Sequence, residues 1–272
     1  PYTTLFRSIL RVRLLGVRPS GLTPKFLKMN IKFLIIFFLI ANTFAQDCSR
    51  IVSLAPSLTD SLLYLGIKPV GVTKFCNAPE IEKIGGFLDP SVEKILTLNP
   101  TLVVGLNEHK TLISQLESLG LKTATFEHRN IDGINQSLKR LSRVCLGKEE
   151  IKFEDELSKI NSDLSGTAIV VVSRDNLNLK DVVLSGNDGF YTELLERLGV
   201  KNLFSDYRTE LVSMEYLYSI SPDFVLEISD YDASLWKNLY PDAKVTRVPP
   251  SLGGVPGPKV LDLAKFLVKE WQ

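Results

Sequence analysis

The sequence predicts an α/β fold of two similar α/β lobes joined by a single long helix, and three observations predict it. The first is an internal repeat. Residues 91–104, SVEKILTLNPTLVV, and residues 213–226, SMEYLYSISPDFVL, align at a spacing of 122 and share Ser91/Ser213, Glu93/Glu215 and Pro100/Pro222. A second pair, LYLGIKPVG at 63–71 and LERLGVKNL at 195–203, carries Leu-Gly-(Ile/Val)-Lys in both copies. The second observation is that short apolar runs alternate with segments of helical period, the pattern of parallel strand–helix units. The third is one amphipathic stretch between the two copies, with no Gly/Ser-rich linker. Two lobes leave a cleft between them, a layout for recognition more than for catalysis.

The elements follow in order. Arg50–Leu54 is an apolar strand ended by Ala55-Pro56-Ser57. Ser57 or Thr59 is placed to cap a helix over 60–65, which Gly66 stops. Strands follow at 70–72 and 101–105, then a helix at 110–119 with Leu112, Leu116 and Leu119 on one face and Gly120 at its end. A strand at 123–126 precedes a helix at 131–145, whose Ile131, Ile134, Leu138 and Leu141 share a face. The second lobe repeats the theme with strands at 167–173, 224–228 and 244–248 and helices at 189–198, 232–239 and 258–271. Between the lobes, Phe153, Leu157, Ile160 and Leu164 fall at helical spacing. They predict one helix of about 16 residues, roughly 24 Å long, a rod that limits opening to a few degrees. The boundaries expected are 46–147 for the first lobe, 148–165 for the linking helix and 166–272 for the second lobe.

The segment before the lobes has another character. The first 45 residues hold seven Lys/Arg and no Asp or Glu. Met29 opens a basic stretch, an apolar run from Phe33 to Ala41, and Thr43-Phe44-Ala45. That pattern predicts a signal peptide over 29–45, cleaved near Ala45, with residues 1–28 a leader upstream of it. The apolar run is far short of the roughly 20 residues that span a bilayer, an uncleaved anchor being the alternative. Without these residues, 25 basic side chains face 31 acidic ones. An acidic chain offers no phosphate-tracking surface, so nucleic acid is not an expected partner. An exported, soluble protein is expected, since Asp47 before Cys48 fits a lipid-modification site poorly.

Three cysteines remain: Cys48, Cys76 and Cys145. Export permits a disulfide, and Cys48 and Cys145 lie at the edges of the first lobe; three free buried thiols are the alternative. Enzyme chemistry finds little support. There are two histidines, His109 and His128, and neither a Gly-x-Ser-x-Gly nor a phosphate-cradling glycine loop. Cys76 with His109 is the one nucleophile–base candidate, and nothing orients it. Two histidines are also too few for a zinc or manganese capture site. A ligand-sensing or adhesion module on the same lobes is the other non-enzymatic reading.

Several segments carry a specific likeness. RIVSLAPSLT at 50–59, LGIKPVGVTKFCNAP at 65–79, KIGGF at 83–87 and VEKILTLNPTLV at 92–103 resemble the helical-backbone (class III) periplasmic substrate-binding proteins of ABC importers. That family serves cobalamin, haem and ferric siderophores, and the vitamin B12-binding branch is nearest. The resemblance covers 48–272 and is strongest over 50–104. It implies a periplasmic monomer with no catalytic residues and no intrinsic cofactor. Its cargo is a metal chelate, cobalamin or another corrinoid, with haem or a ferric siderophore as the alternative. It also implies an ABC permease as partner, one glutamate per lobe docking on permease arginines; by motif these are Glu93 and Glu215. The residues agree. Val92, Ile95, Leu96 and Leu98, and likewise Met214, Leu217, Tyr218 and Ile220, offer apolar faces that leave each Glu outward near a helix start. The bland alternative is a carboxylate complementing the helix dipole.

Loops after the strands' carboxyl ends should line the ligand cleft. In the first lobe these supply Ser57, Phe75, Cys76, Asn77, Phe87, Asn107 and His109; in the second, Arg174, Ser185, Asn187, Phe190, Tyr231 and Ser251. Small polar groups beside isolated aromatics suit a large, flat, partly apolar ligand. At the 122-residue spacing His109 corresponds to Tyr231, and both are side-chain types that ligate haem iron. Arg174 and Arg247 are candidates for answering an anionic siderophore.

Overall fold

A computed structural model describes residues 46–272 except 149 and 207, so the leader and signal assigned to 1–28 and 29–45 lie outside the described residues. In the first lobe β1 (Ile51–Ser53), β2 (Gly71–Val72), β3 (Glu82–Lys83), β4 (Leu102–Leu106) and β5 (Thr123–Phe126) form a parallel sheet in the order β3-β2-β1-β4-β5. The connections carry α1 (Pro56–Tyr64), α2 (Val92–Thr97), α3 (Lys110–Ser118) and α4 (Ile131–Leu146). Side chains alternate along a strand, so a sheet covered on both faces buries consecutive residues. Leu102 and Val104 pack with Leu58, Leu62 and Leu141, while Val103 packs on the other face with Ile95, Ile113 and Leu116.

The first helix begins earlier than expected. Ala55 is its cap residue and Pro56 opens it, since proline's fixed φ suits the first helical position. Ser57 and Thr59 therefore sit inside the first turn, buried, and cap nothing. Thr59 Oγ1 instead donates to Ser53 Oγ at 2.9 Å.

The expected linking rod is the main departure. Gly147, left-handed at φ 64, ends α4, and the following helix α5 spans only Phe153–Ser158. Phe153 and Leu157 are buried, and Ile160 and Leu164 pack against the same cluster, so the apolar spacing marked burial correctly. The chain nevertheless leaves the helix at 159–165, where Ser162 Oγ donates to the Leu198 carbonyl at 3.0 Å and accepts the Leu164 amide at 3.1 Å. Asn161, Ser162 and Ser165 are weak helix formers whose side chains compete for backbone bonds, and here one of them does.

The second lobe is a six-stranded sheet of β6 (Gly166–Ser173), β7 (Val183–Leu184), β8 (Val200–Asn202), β9 (Glu210–Leu211), β10 (Phe224–Ile228) and β11 (Lys244–Val248). Its order is β11-β10-β6-β7-β9, with β8 also pairing β6. Strands β7 and β9 pair antiparallel, which the sequence pattern did not indicate. The helices are α6 (Phe190–Arg197), α7 (Met214–Ser219), α8 (Leu235–Leu239), α9 (Pro250–Gly253) and α10 (Val260–Trp271). The repeat is structural as well as sequential. Helix α2 and strand β4 match α7 and β10 residue for residue at 122, and β2-β1-β4-β5 has its counterpart in β8-β6-β10-β11. No helix among the described residues is long and apolar enough to cross a membrane.

One apolar cluster joins the halves: Ile131, Ile134 and Leu138 of α4 pack in the same cluster as Phe190, Leu194, Leu226 and Leu267. A disulfide links Cys48, ahead of β1, to Cys145 near the end of α4, closing 97 residues of chain, while Cys76 is free and buried. A cross-link over a loop of that length restricts the unfolded chain and stabilises by about 4.7 kcal/mol in the chain-entropy picture. Cys48→Ser with Cys145→Ser should lower the urea midpoint accordingly, and dithiothreitol should then have no further effect; an unchanged midpoint would exclude the bridge as a stabilising element.

Candidate functional site

Parallel strands run in one direction, so the loops after their carboxyl ends gather at one end of each lobe. The lobes meet at those ends. Arg129, after β5, accepts the Phe190 amide at its carbonyl at 3.1 Å and pairs with Asp188 at 3.5 Å. Glu193 accepts the Ile131 amide at 2.7 Å, so a second-lobe carboxylate satisfies the first turn of α4. Lys259 reaches Asp60 of α1 at 3.2 Å; burial raises the Asp60 carboxyl above its ordinary range, with Lys259 opposing.

Of the first-lobe cleft candidates, Phe75 is 62% exposed, Asn77 and Asn107 are exposed, and Phe87 is half-buried. Ser57, Cys76 and His109 are inside the lobe. Cys76 Sγ lies 3.2 Å from both Thr59 Oγ1 and Thr73 Oγ1, a structural thiol rather than a nucleophile beside His109. His109 Nδ1 accepts the Leu106 amide at 3.1 Å, so Nε2 carries the proton and donates to the Phe87 carbonyl at 2.9 Å. Neither nitrogen is left for a metal in this arrangement.

In the second lobe Asn187 and Ser251 are exposed, and Tyr231 is 40% exposed. Ser185 and Phe190 are buried, the latter stacked on Tyr191. Arg174 is also internal. Its Nε donates to Glu227 Oε1 at 2.8 Å, with both side chains only 1% exposed, and its other nitrogens donate to the carbonyls of Asp175, Asn176 and Asp232. Glu227 in turn accepts from Trp236 Nε1 at 2.5 Å and Ser229 Oγ at 2.7 Å. With each guanidinium nitrogen and both carboxylate oxygens engaged, this pair is built as an internal support rather than as a receptor for an anion. Arg247 bonds the Asp230 carbonyl. A pocket of about 210 Å³ lies at the carboxyl ends of β6 and β10, lined by Arg174, Glu227, Ser229, Tyr231 and Pro250 among others.

The exposed candidates are thus Phe75, Asn77 and Asn107 in the first lobe and Asn187, Tyr231 and Ser251 in the second, with Phe87 half-covered. Leu88, after β3, and Leu177, after β6, are also largely exposed on loops that follow strands. Leu88 follows Phe87 and Leu177 has Leu179 two residues on, so neither stands out in the sequence as an isolated apolar residue. Glu227 was also missed. A single carboxylate within the apolar strand FVLEI implies a buried partner, since a charge is seldom buried unpaired.

The two glutamates occupy identical local settings. Ser91 caps α2 by accepting the Lys94 amide, and Ser213 caps α7 by accepting the Tyr216 amide, both at 3.2 Å. Glu93 and Glu215 are each the second residue of their helix, and both are exposed. The Glu215 backbone amide and then the Ser213 hydroxyl hold its carboxyl below the usual range, so it is ionised at neutral pH.

Residues 51–234 match the periplasmic binding protein family, and the chain belongs to that family. Among curated relatives, the vitamin B12-binding protein of Salmonella typhimurium is 25% identical over 213 residues, covering 73% of this chain and 79% of its own. The putative ABC transporter substrate-binding lipoprotein YhfQ of Bacillus subtilis is 28% identical, covering 70% of this chain and 72% of its own. Among solved structures, the periplasmic vitamin B12-binding protein BtuF of Vibrio cholerae superposes with TM-score 0.65 at 19% identity, covering 82% of this chain and 96% of its own. The periplasmic heme-binding protein HutB of Vibrio cholerae superposes at 0.70 and 18% identity, over 82% and 98%.

His128, between β5 and α4, is buried where the lobes meet, and neither ring nitrogen has a hydrogen-bond partner of good geometry. Burial lowers its pKa from 6.5 to about 4, the nearby Pro256 backbone opposing. Because the folded value lies below the unfolded one, its contribution is complete above pH 6.5 and is lost as pH falls toward 4. The loss is about 3 kcal/mol. Urea midpoints at pH 7.5 and 4.5 should converge in His128→Gln relative to the parent; an equal acid slope in both proteins would remove His128 as the cause.

Proposed function

We propose that this chain is the extracytoplasmic substrate-binding protein of an ABC importer, exported and cleaved near Ala45, which captures a metal chelate between its lobes and delivers it to the permease. Cobalamin or another corrinoid is the favoured cargo, because vitamin B12-binding proteins are prominent among the curated relatives. The observation that carries the transport reading is the duplicated serine-capped glutamate on two lobes of matching construction. Exposed carboxylates at equivalent places suit bidentate pairing with arginines, and a pair related by an internal repeat suits a partner with repeated subunits. Phe75, Leu88, Leu177 and Tyr231 offer apolar contact to a broad macrocycle, and Asn77, Asn107, Asn187 and Ser251 offer polar contact around it.

Haem or a ferric siderophore is the second reading. With both His109 nitrogens engaged, Tyr231 is the remaining candidate iron ligand of that pair.

Parallel absorbance and tryptophan-fluorescence titrations with cyanocobalamin, haemin and a ferric hydroxamate should show saturable one-to-one binding of one of them. Failure of all three would remove the chelate reading. Glu93→Arg with Glu215→Arg should abolish uptake into cells while changing the dissociation constant less than twofold. A large affinity loss would instead assign the glutamates to the cleft.

A further inference from the structure

Tyr231 occupies an exposed turn, yet that turn is tied to the most deeply buried charges of the second lobe. We infer that Glu227 and Arg174 are positioning residues that set Tyr231 as a rigid platform for the ligand, an inference resting on the reading that Tyr231 lines the cleft. Two routes connect them. Glu227 Oε1 accepts from Ser229 Oγ at 2.7 Å, and Ser229 Oγ accepts the Tyr231 amide at 3.1 Å. Arg174 Nη2 donates to the Asp232 carbonyl at 2.7 Å, so the residues on both sides of Tyr231 are held from below. The guanidinium also lies 5.6 Å from the Tyr231 ring centroid, a cation–π contact made by a desolvated charge. Glu227 and Arg174 fix each other, and Trp236 fills the other carboxylate oxygen, so neither has slack.

An exposed tyrosine on a free loop surrenders conformational entropy when a ligand orders it. A turn held in advance avoids that loss, which is how preorganisation raises affinity. The arrangement also couples the cleft to Trp236 through one carboxylate, giving the lobe an internal optical reporter. Positioning predicts that cutting the relay harms binding as much as removing the ring, and that the two losses do not add.

The test uses Ser229→Ala, Ser229→Thr, Glu227→Gln and Tyr231→Ala in the full chain, with haemin and cyanocobalamin as probes and amide hydrogen exchange as a ligand-independent readout. Ser229→Ala cuts the relay while leaving the buried ion pair intact, so it carries the test even if Glu227→Gln fails to fold. Exchange at 229–232 should rise about tenfold in Ser229→Ala, with β6 unaffected, and Ser229→Thr should restore it. Affinity for the probe that binds should fall about tenfold in Ser229→Ala and in Tyr231→Ala, and no further in the double variant. Unchanged exchange at 229–232, or affinity lost in Tyr231→Ala but kept in Ser229→Ala, would overturn the positioning role while leaving Tyr231 in the cleft. Affinity indifferent to Tyr231→Ala would instead take Tyr231 out of the cleft and end the inference with it.

Discussion

Parallel strand pairing governs this protein. Each parallel connection must return the chain to the starting edge, so every strand of β2-β1-β4-β5 and of β8-β6-β10-β11 ends at the same side of its sheet. The carboxyl ends collect the loops that lead into the following helices. Three of the residues in the cross-lobe bonds named above follow those carboxyl ends, Asp60 after β1, Arg129 after β5 and Lys259 after β11, whereas their partners Asp188 and Glu193 come from the segment after the antiparallel strand β7. The exposed Phe75, Leu88, Leu177 and Tyr231 lie on loops that follow β2, β3, β6 and β10.

The same constraint leaves the outer helices α2 and α7 free to keep what the repeat gave them. Each is a six-residue helix with a serine cap and one buried residue, Ile95 or Leu217. A cap and one anchoring residue are enough to hold so short a helix against its sheet, each worth roughly 1–3 kcal/mol. Val92 and Met214 open the two helices with side chains packed against the core, and both copies place an exposed glutamate at the next position.

Much of this was legible in the sequence because it depends on local patterns. Apolar runs located the long strands, left-handed glycines marked helix ends at Gly66 and Gly120, and the Ser-x-Glu repeat located both capped helices. What was not legible depends on tertiary partners. Strands β3, β7 and β9 have two residues each and exist only through pairing. The rod expected between the lobes satisfied helical spacing, but spacing reports burial, and Leu164 is buried as well by a turn as by a helix. At the site, polar type alone did not separate Arg174 and His109, which are consumed by internal bonds, from Asn107 and Tyr231, which are not. Deciding that requires knowing that Glu227 lies on the neighbouring strand, one pairing away from Val171.

His109 and Tyr231 make the division of labour concrete. They hold the same position in the repeat, His109 following β4 and Tyr231 following β10, each the strand next to the central one of its sheet. In the first lobe the ring turns inward, bonded at both nitrogens and packed edge-on against Phe87 at 4.6 Å, so the lobe seals. In the second lobe the ring stays outside, over a guanidinium that holds its turn through the Asp232 carbonyl. The repeat has therefore been kept on the outer helices and lost on the loops between the lobes. Under the proposed role this is the expected asymmetry. A permease with repeated subunits meets both outer faces alike and favours keeping them alike, whereas one ligand without that symmetry meets two lobes at once and favours making their inner faces differ.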